Sequence, residues 1–142
     1  MTVQQLKKKS EGFTIIEVLI VLAIAGLIML IVFLAVPALQ RNSRNNARNN
    51  DAAKVAAAVT ECLSNRNGVV ASCDTDAEIE QGQTTQLATV SFGAAAFSQT
   101  DARVTYDAGC LADGTNTGPG SGPRSFAVTY QLEPTINRCI AS

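Results

Sequence analysis

The sequence predicts an α+β protein: a long N-terminal helix, apolar in its first half and amphipathic in its second, packed on a small antiparallel β-sheet. Residues 18–36 contain no charged or strongly polar side chain, and about 20 apolar residues are enough for a helix to span a bilayer. Val55, Val59, Cys62 and Leu63 then recur at the spacing of one helix face. The remaining chain has short runs rich in valine, threonine and aromatic residues, which are typical of strands.

The element boundaries follow from local composition. We expect the helix to begin near Phe13 and to end near Ser64, since Asn67-Gly68 is a good helix stop. The ten residues Gly114–Pro123 are rich in glycine and proline and predict a loop. Strands are expected in four places: Thr84–Phe92, Arg103–Tyr106, Ser125–Leu132 and Ile136–Ile140.

Charge is distributed unevenly along the chain, although the net charge is only -1. Residues 41–66 hold five basic and two acidic side chains, whereas residues 67–142 hold three basic and eight acidic ones. The basic stretch suits anionic lipid head groups or acidic neighbours, or it is a solvated helix face. Because phosphate neutralisation supplies most non-specific affinity for nucleic acid, the acidic C-terminal part predicts no direct nucleic-acid binding.

The four cysteines, Cys62, Cys73, Cys110 and Cys139, all follow the apolar run. None lies in a C-x-x-C pair, and the chain has no histidine that could complete a zinc site. An even number beyond a membrane segment predicts two disulfides in an oxidising compartment, with free buried thiols as the alternative. Of the three possible pairings, Cys62–Cys73 with Cys110–Cys139 is favoured because it closes the shorter loops.

The sequence does not predict an enzyme or a cofactor. Without histidine, neither a Ser-His-Asp nor a Cys-His arrangement can form, and no phosphate-binding loop or H-E-x-x-H motif is present. Asp74, Asp76 and Glu78 form the one candidate ion site, since alternating carboxylates can bind Ca²⁺. Their spacing lacks the register of an EF-hand loop, and a solvated acidic loop is the favoured explanation.

The most informative stretch is Gly12-Phe13-Thr14-Ile15-Ile16-Glu17, which precedes the apolar run. An acidic side chain at the edge of a membrane segment is unfavourable and usually has a partner. Cleavage after Gly12 would create a cationic amine on Phe13, about one helical turn from Glu17. The first twelve residues, with lysines at positions 7–9, are typical of a leader.

Residues 7–36 resemble the type IV pilin and pseudopilin family. They carry a short basic leader, Gly12 before the cut, Phe13 after it, Glu17 in the fifth mature position and an apolar helix. The resemblance implies cleavage after Gly12 by a prepilin peptidase and N-methylation of Phe13, with Glu17 assisting subunit docking. It also implies the pilin fold, and filament partners that comprise other pilin subunits and the assembly platform with its ATPase.

The resemblance further implies localisation in the inner membrane before assembly and in an extracellular filament afterwards, with a role in adhesion, motility or uptake. The domains would be a leader at 1–12, a transmembrane and filament-core helix at 13–39, an amphipathic stem at 40–66 and a β head at 67–142. Family members commonly have a proline about three residues closer to Phe13 than Pro37. Gly26 weakens the helix interior and Pro37 removes a helix hydrogen bond, so we expect unwinding between them in the filament.

Alternatives to a major pilin remain. The chain could be a pseudopilin or minor pilin of a type II secretion or DNA-uptake system. It could also be a soluble secreted binding domain, released from an ordinary signal peptide by cleavage before Leu39. Against this stand the length of the apolar run and the position of Glu17. A single-span anchor of an unrelated surface protein is a third alternative.

Overall fold

The computed structural model describes residues 12–75, 79 and 86–142. An α-helix, α1 (Ile15–Asn65), is followed by a short 3₁₀ helix (Val70–Ser72). The strands then follow in chain order as β1 (Thr89–Phe92), β2 (Asp101–Tyr106), β3 (Ala108–Cys110), β4 (Thr117–Pro119), β5 (Phe126–Leu132) and β6 (Ile136–Ala141). The chain divides into two units between Leu39 and Gln40, and each unit is described separately.

The N-terminal unit consists of the first part of α1. The helix begins at Ile15, two residues after the predicted start, and continues without interruption through Gly26 and Pro37. Every residue from Gly12 to Leu39 is exposed. Unwinding between Gly26 and Pro37 was expected for the assembled filament, so it stays a prediction.

The second part of α1 belongs to the larger unit and is amphipathic, as predicted. Its buried residues are Arg48, Asp51, Ala52, Val55, Val59 and Leu63. Asn67 and Gly68 follow with φ of 54° and 79°, and the Gly68 N–H donates to the Leu63 carbonyl at 2.6 Å. The left-handed backbone conformation at these two residues, together with this hydrogen bond, ends the helix. The predicted helix stop is therefore confirmed. A side chain at Gly68 would also collide with the Arg124 side chain.

The main sheet has four strands in the order β1-β2-β5-β6. Strands β2, β5 and β6 are antiparallel neighbours, but β1 pairs with β2 in parallel. The predicted antiparallel sheet is therefore confirmed for β2, β5 and β6, and the parallel pairing of β1 makes the sheet mixed at one edge. Residues 93–100 carry the chain back between the two strands, and Gly93 begins this return with a φ of 75°.

Three predicted strands are confirmed with small shifts, at β2, β5 and β6. The first is shorter than expected: β1 begins at Thr89, and residues 84 and 85 of the predicted strand lie outside the described residues. The loop predicted over residues 114–123 was wrong in its middle, because β4 pairs there with β3 as a second, two-stranded sheet. Backbone hydrogen bonding overrides the glycine-rich composition at Thr117–Pro119.

The core lies between α1 and the main sheet. Val55 and Val59 of α1 are in one buried cluster with Phe126, Val128 and Tyr130 of β5, the residues predicted to share one strand face. Ala127 and Thr129 on the opposite face of β5 are also fully buried. Strand β5 is therefore covered on both faces and forms the centre of the head.

Replacement of Leu87, which is fully buried in this core, tests the packing. We expect Leu87→Ala to lower the free energy of unfolding by about 2–5 kcal/mol, because it leaves a cavity. The half-exposed Ile136 is the control, and Ile136→Ala should cost less than about 1 kcal/mol. Urea unfolding of the full chain in detergent micelles can be followed by tyrosine fluorescence, since both tyrosines lie in the sheet. Equal losses in the two variants would contradict the described core.

Candidate functional site

The first part of α1 presents a continuous apolar surface. Phe13 is 89% exposed, and the large apolar side chains from Ile15 to Leu34 are between 49% and 81% exposed. Among the described residues, α1 is the one helix long and apolar enough to cross a membrane, and the apolar window is unburied. This surface is consistent with membrane anchoring.

Thr14 and Glu17 cap the start of this helix. The Thr14 N–H and the Thr14 hydroxyl both donate to Glu17 Oε2, at 2.9 and 2.8 Å. The Glu17 N–H donates in return to Thr14 Oγ1 at 3.4 Å. This reciprocal pair is a capping box, which satisfies N–H groups that have no partner within the helix. Glu17 therefore has a structural role within a single chain, in addition to the docking role that the resemblance implies.

Within the described residues, close packing does not require glycine at Gly12 or Gly26. A Cβ at Gly12 or at Gly26 would meet no atom within 4 Å, and neither residue has the positive φ that favours glycine. Any requirement for glycine at these positions would have to arise from contacts with another protein molecule or from a different conformation of the chain. Pro37 lies inside α1, where it cannot donate the helix hydrogen bond to Phe33.

The larger unit contains a polar cluster that we call the Glu133 clasp: Arg44, Asn45, Arg48 and Glu133. It joins α1 to the turn between β5 and β6. Arg44 binds the Glu133 carboxylate with two parallel bonds of 2.8 Å each, and Arg48 donates to Oε1 at 3.1 Å. The Asn45 amide donates to the Glu133 carbonyl at 3.1 Å and accepts from its N–H at 2.9 Å. Glu133 is thus bound to α1 through both its carboxylate and its backbone.

The clasp is ionic over a wide pH range. The hydrogen bonds from Arg44 lower the pKa of Glu133 to about 2, against partial burial, with a further contribution from Arg48. The same bond raises the pKa of Arg44. Arg48 is 5% exposed, and its Nε donates to the Gln99 carbonyl at 2.8 Å, so this buried cation is paired on two sides.

Two disulfides hold the head together, with the pairing favoured by the sequence. Cys62–Cys73 joins the end of α1 to the chain after the 3₁₀ helix, and Cys110–Cys139 joins β3 to β6. The buried Cys73 carbonyl also accepts a hydrogen bond from the Tyr106 hydroxyl. Both bridges lie within the larger unit.

Only one of the three candidate calcium residues lies in the part of the chain that the structure describes. Asp74 is exposed, whereas Asp76 and Glu78 lie outside the described residues, as does the predicted leader apart from Gly12. In the part of the chain that the structure describes, no group of three or more carboxylate or cysteine side chains could hold a metal ion. Calcium binding therefore stays an untested hypothesis.

Sequence reasoning missed two features of the site. The capping role of Glu17 was visible in principle, because Thr14-Ile15-Ile16-Glu17 fits the threonine-x-x-glutamate pattern that precedes an apolar run. The clasp carried no such pattern: Arg44 and Glu133 are 89 positions apart, and each alone reads as an ordinary surface charge.

The clasp predicts a specific acid dependence of stability. A carboxylate whose pKa is lowered by folding contributes stability that is fully present above about pH 5 and is lost as the pH falls towards 2. Glu133→Gln should therefore lower the urea midpoint of the full chain in micelles at pH 7, and the difference from wild type should shrink at pH 2.5. Glu61→Gln, an exposed change on the same helix, is the control. A difference that is the same at both pH values would refute an ionic clasp.

Comparison with known proteins gives one match, which lies in the N-terminal segment. No curated protein and no solved structure is significantly similar to this chain. Residues 7–33 match the family model of the prokaryotic N-terminal methylation motif, which includes the capping box and most of the exposed apolar helix. Residues 7–33 therefore carry the N-terminal methylation signal that type IV pilins and pseudopilins share.

Proposed function

We propose that the protein is a structural subunit of a type IV pilus-like filament. A prepilin peptidase cuts after Gly12 and the new amine of Phe13 is methylated. The first part of α1 holds the subunit in the inner membrane and later packs against other copies, while the disulfide-bonded head faces outward. The proposal is carried by the methylation motif over residues 7–33, which is in register with a helix that begins two residues after Phe13.

The exposed helix supports polymerisation by physical argument. Apolar side chains gain little from association while they are in lipid, so packing and specific polar contacts must select the partner. Glu17 is the acidic residue available for such a contact. Both bonds from Thr14 reach Oε2, and within the described residues no bond reaches Oε1. That oxygen remains to accept the Phe13 amine of a neighbouring copy.

The partners that this function requires are other copies of the chain, the prepilin peptidase, and an assembly platform with its ATPase. Membrane lipid covers the helix before assembly. We propose a major subunit, because the head is small and plain, and the filament would serve adhesion, motility or uptake. A major subunit forms most of the protein in sheared filaments, whereas a minor pilin or a pseudopilin does not.

The assembly role of Glu17 can be separated from its capping role by Glu17→Gln. Glutamine also completes a capping box, so helix α1 should still begin at Ile15, but the charge that pairs with an amine is lost. We expect normal cleavage and membrane insertion with at least a tenfold loss of sheared filament, measured by quantitative immunoblotting of the sheared and membrane fractions.

Glu61→Gln is the matched control, since it removes an exposed charge from the same helix and should leave the filament yield unchanged. Wild-type filament yield from Glu17→Gln would contradict the proposed docking contact. Accumulation of uncleaved precursor in Glu17→Gln would mean that Glu17 is needed for cleavage by the peptidase, which would contradict a role in assembly alone.

A further inference from the structure

The part of α1 that begins the larger unit has a low intrinsic tendency to be helical. Residues 41–50 include five asparagines, whereas residues 51–60 include five alanines. Asparagine is among the weaker helix formers because its side chain competes for backbone hydrogen bonds, and alanine is the strongest. Helices with weak propensity depend on tertiary contacts, so the contacts of residues 41–50 decide whether this segment stays helical.

These contacts are polar. The first buried apolar residue of α1 is Ala52, followed by Val55, Val59 and Leu63. Residues 41–50 are held to the sheet and its connecting segments by side-chain hydrogen bonds. These are the bonds of the Glu133 clasp, the bond from Arg48 to the Gln99 carbonyl, and the bond from the Tyr130 hydroxyl to Asn49. The segment is therefore attached by a few discrete bonds and not by a continuous apolar face.

Most of these bonds converge on one residue. Glu133 accepts from Arg44 through both carboxylate oxygens, from Arg48 through Oε1 and from Asn45 through its carbonyl. Bidentate bonds between charged groups are among the strongest hydrogen bonds in proteins. On α1 the buried apolar residues begin at Ala52, after the last clasp residue, Arg48, so the clasp and the core involve successive segments of the helix.

We propose that the Glu133 clasp is a conformational latch that keeps residues 41–50 of α1 helical. With the latch closed, the asparagine-rich segment is fixed to the turn between β5 and β6. With it open, this segment unwinds while the alanine-rich segment and the sheet remain folded. The proposal concerns the single chain and does not depend on filament assembly.

Hydrogen exchange measured by mass spectrometry on the full chain in detergent micelles tests the latch. In Glu133→Gln we expect the amides of residues 41–50 to exchange at least tenfold faster than in wild type, and those of residues 52–63 to be accelerated by a clearly smaller factor. Arg44→Lys keeps the charge but loses the two-pronged bond, and should speed exchange in 41–50 by a smaller factor. It also provides the test if Glu133→Gln does not fold. Glu61→Gln should change neither segment.

A rescue variant separates a latch on a weak helix from an ordinary stabilising contact. Asn46 and Asn50 are exposed, and replacing both by alanine raises helix propensity without touching the clasp. In the Glu133→Gln background, this pair should return exchange in 41–50 to within about threefold of wild type. Unchanged exchange in Glu133→Gln, equal acceleration of both segments, or failure of the rescue would each overturn the proposal.

Discussion

Sixteen large apolar side chains of α1 are exposed between Ile15 and Leu34, and covering them is the main physical requirement of this chain. Burial of one such side chain is worth about 1.5–3 kcal/mol, so six of them already match the net stability of a typical domain, about 5–15 kcal/mol. Lipid can cover this surface, and so can the same surface of other copies. Glu17, at the start of the helix, is then in an apolar environment, where an uncapped and unpaired carboxylate would be costly.

Most of the fold could be predicted from the sequence because its signals are local. The apolar run, the helical spacing from Val55 to Leu63 and the stop at Asn67-Gly68 each act within a few residues. The parallel pairing of β1 and the short β3–β4 sheet could not be predicted, because strand direction and pairing depend on where distant segments meet. Thr117–Pro119 reads as loop and becomes a strand when Ala108–Cys110 supplies its hydrogen bonds.

The candidate site likewise has a part that could be predicted from local sequence and a part that depends on distant contacts. The methylation motif over residues 7–33 is contiguous and could be recognised from the sequence, and the structure adds the bonds between Thr14 and Glu17. Arg48 and Asp51 counted as stem charges in the sequence, yet both are buried: Arg48 against Glu133, and Asp51 against the backbone N–H groups of Gln86 and Leu87. Buried charges of this kind cannot be recognised until the partner is located. The clasp therefore became visible only in the folded head.

Intact mass and N-terminal sequencing of the mature protein from its native membrane test the central claim most directly, because they report whether processing places a charged amine beside Glu17. A chain that starts at methylated Phe13, lighter by the four hydrogens that two disulfides remove, is the expected result. A chain that starts at Leu39 would lack the apolar helix and Glu17. That result would show a secreted soluble domain and contradict the filament subunit.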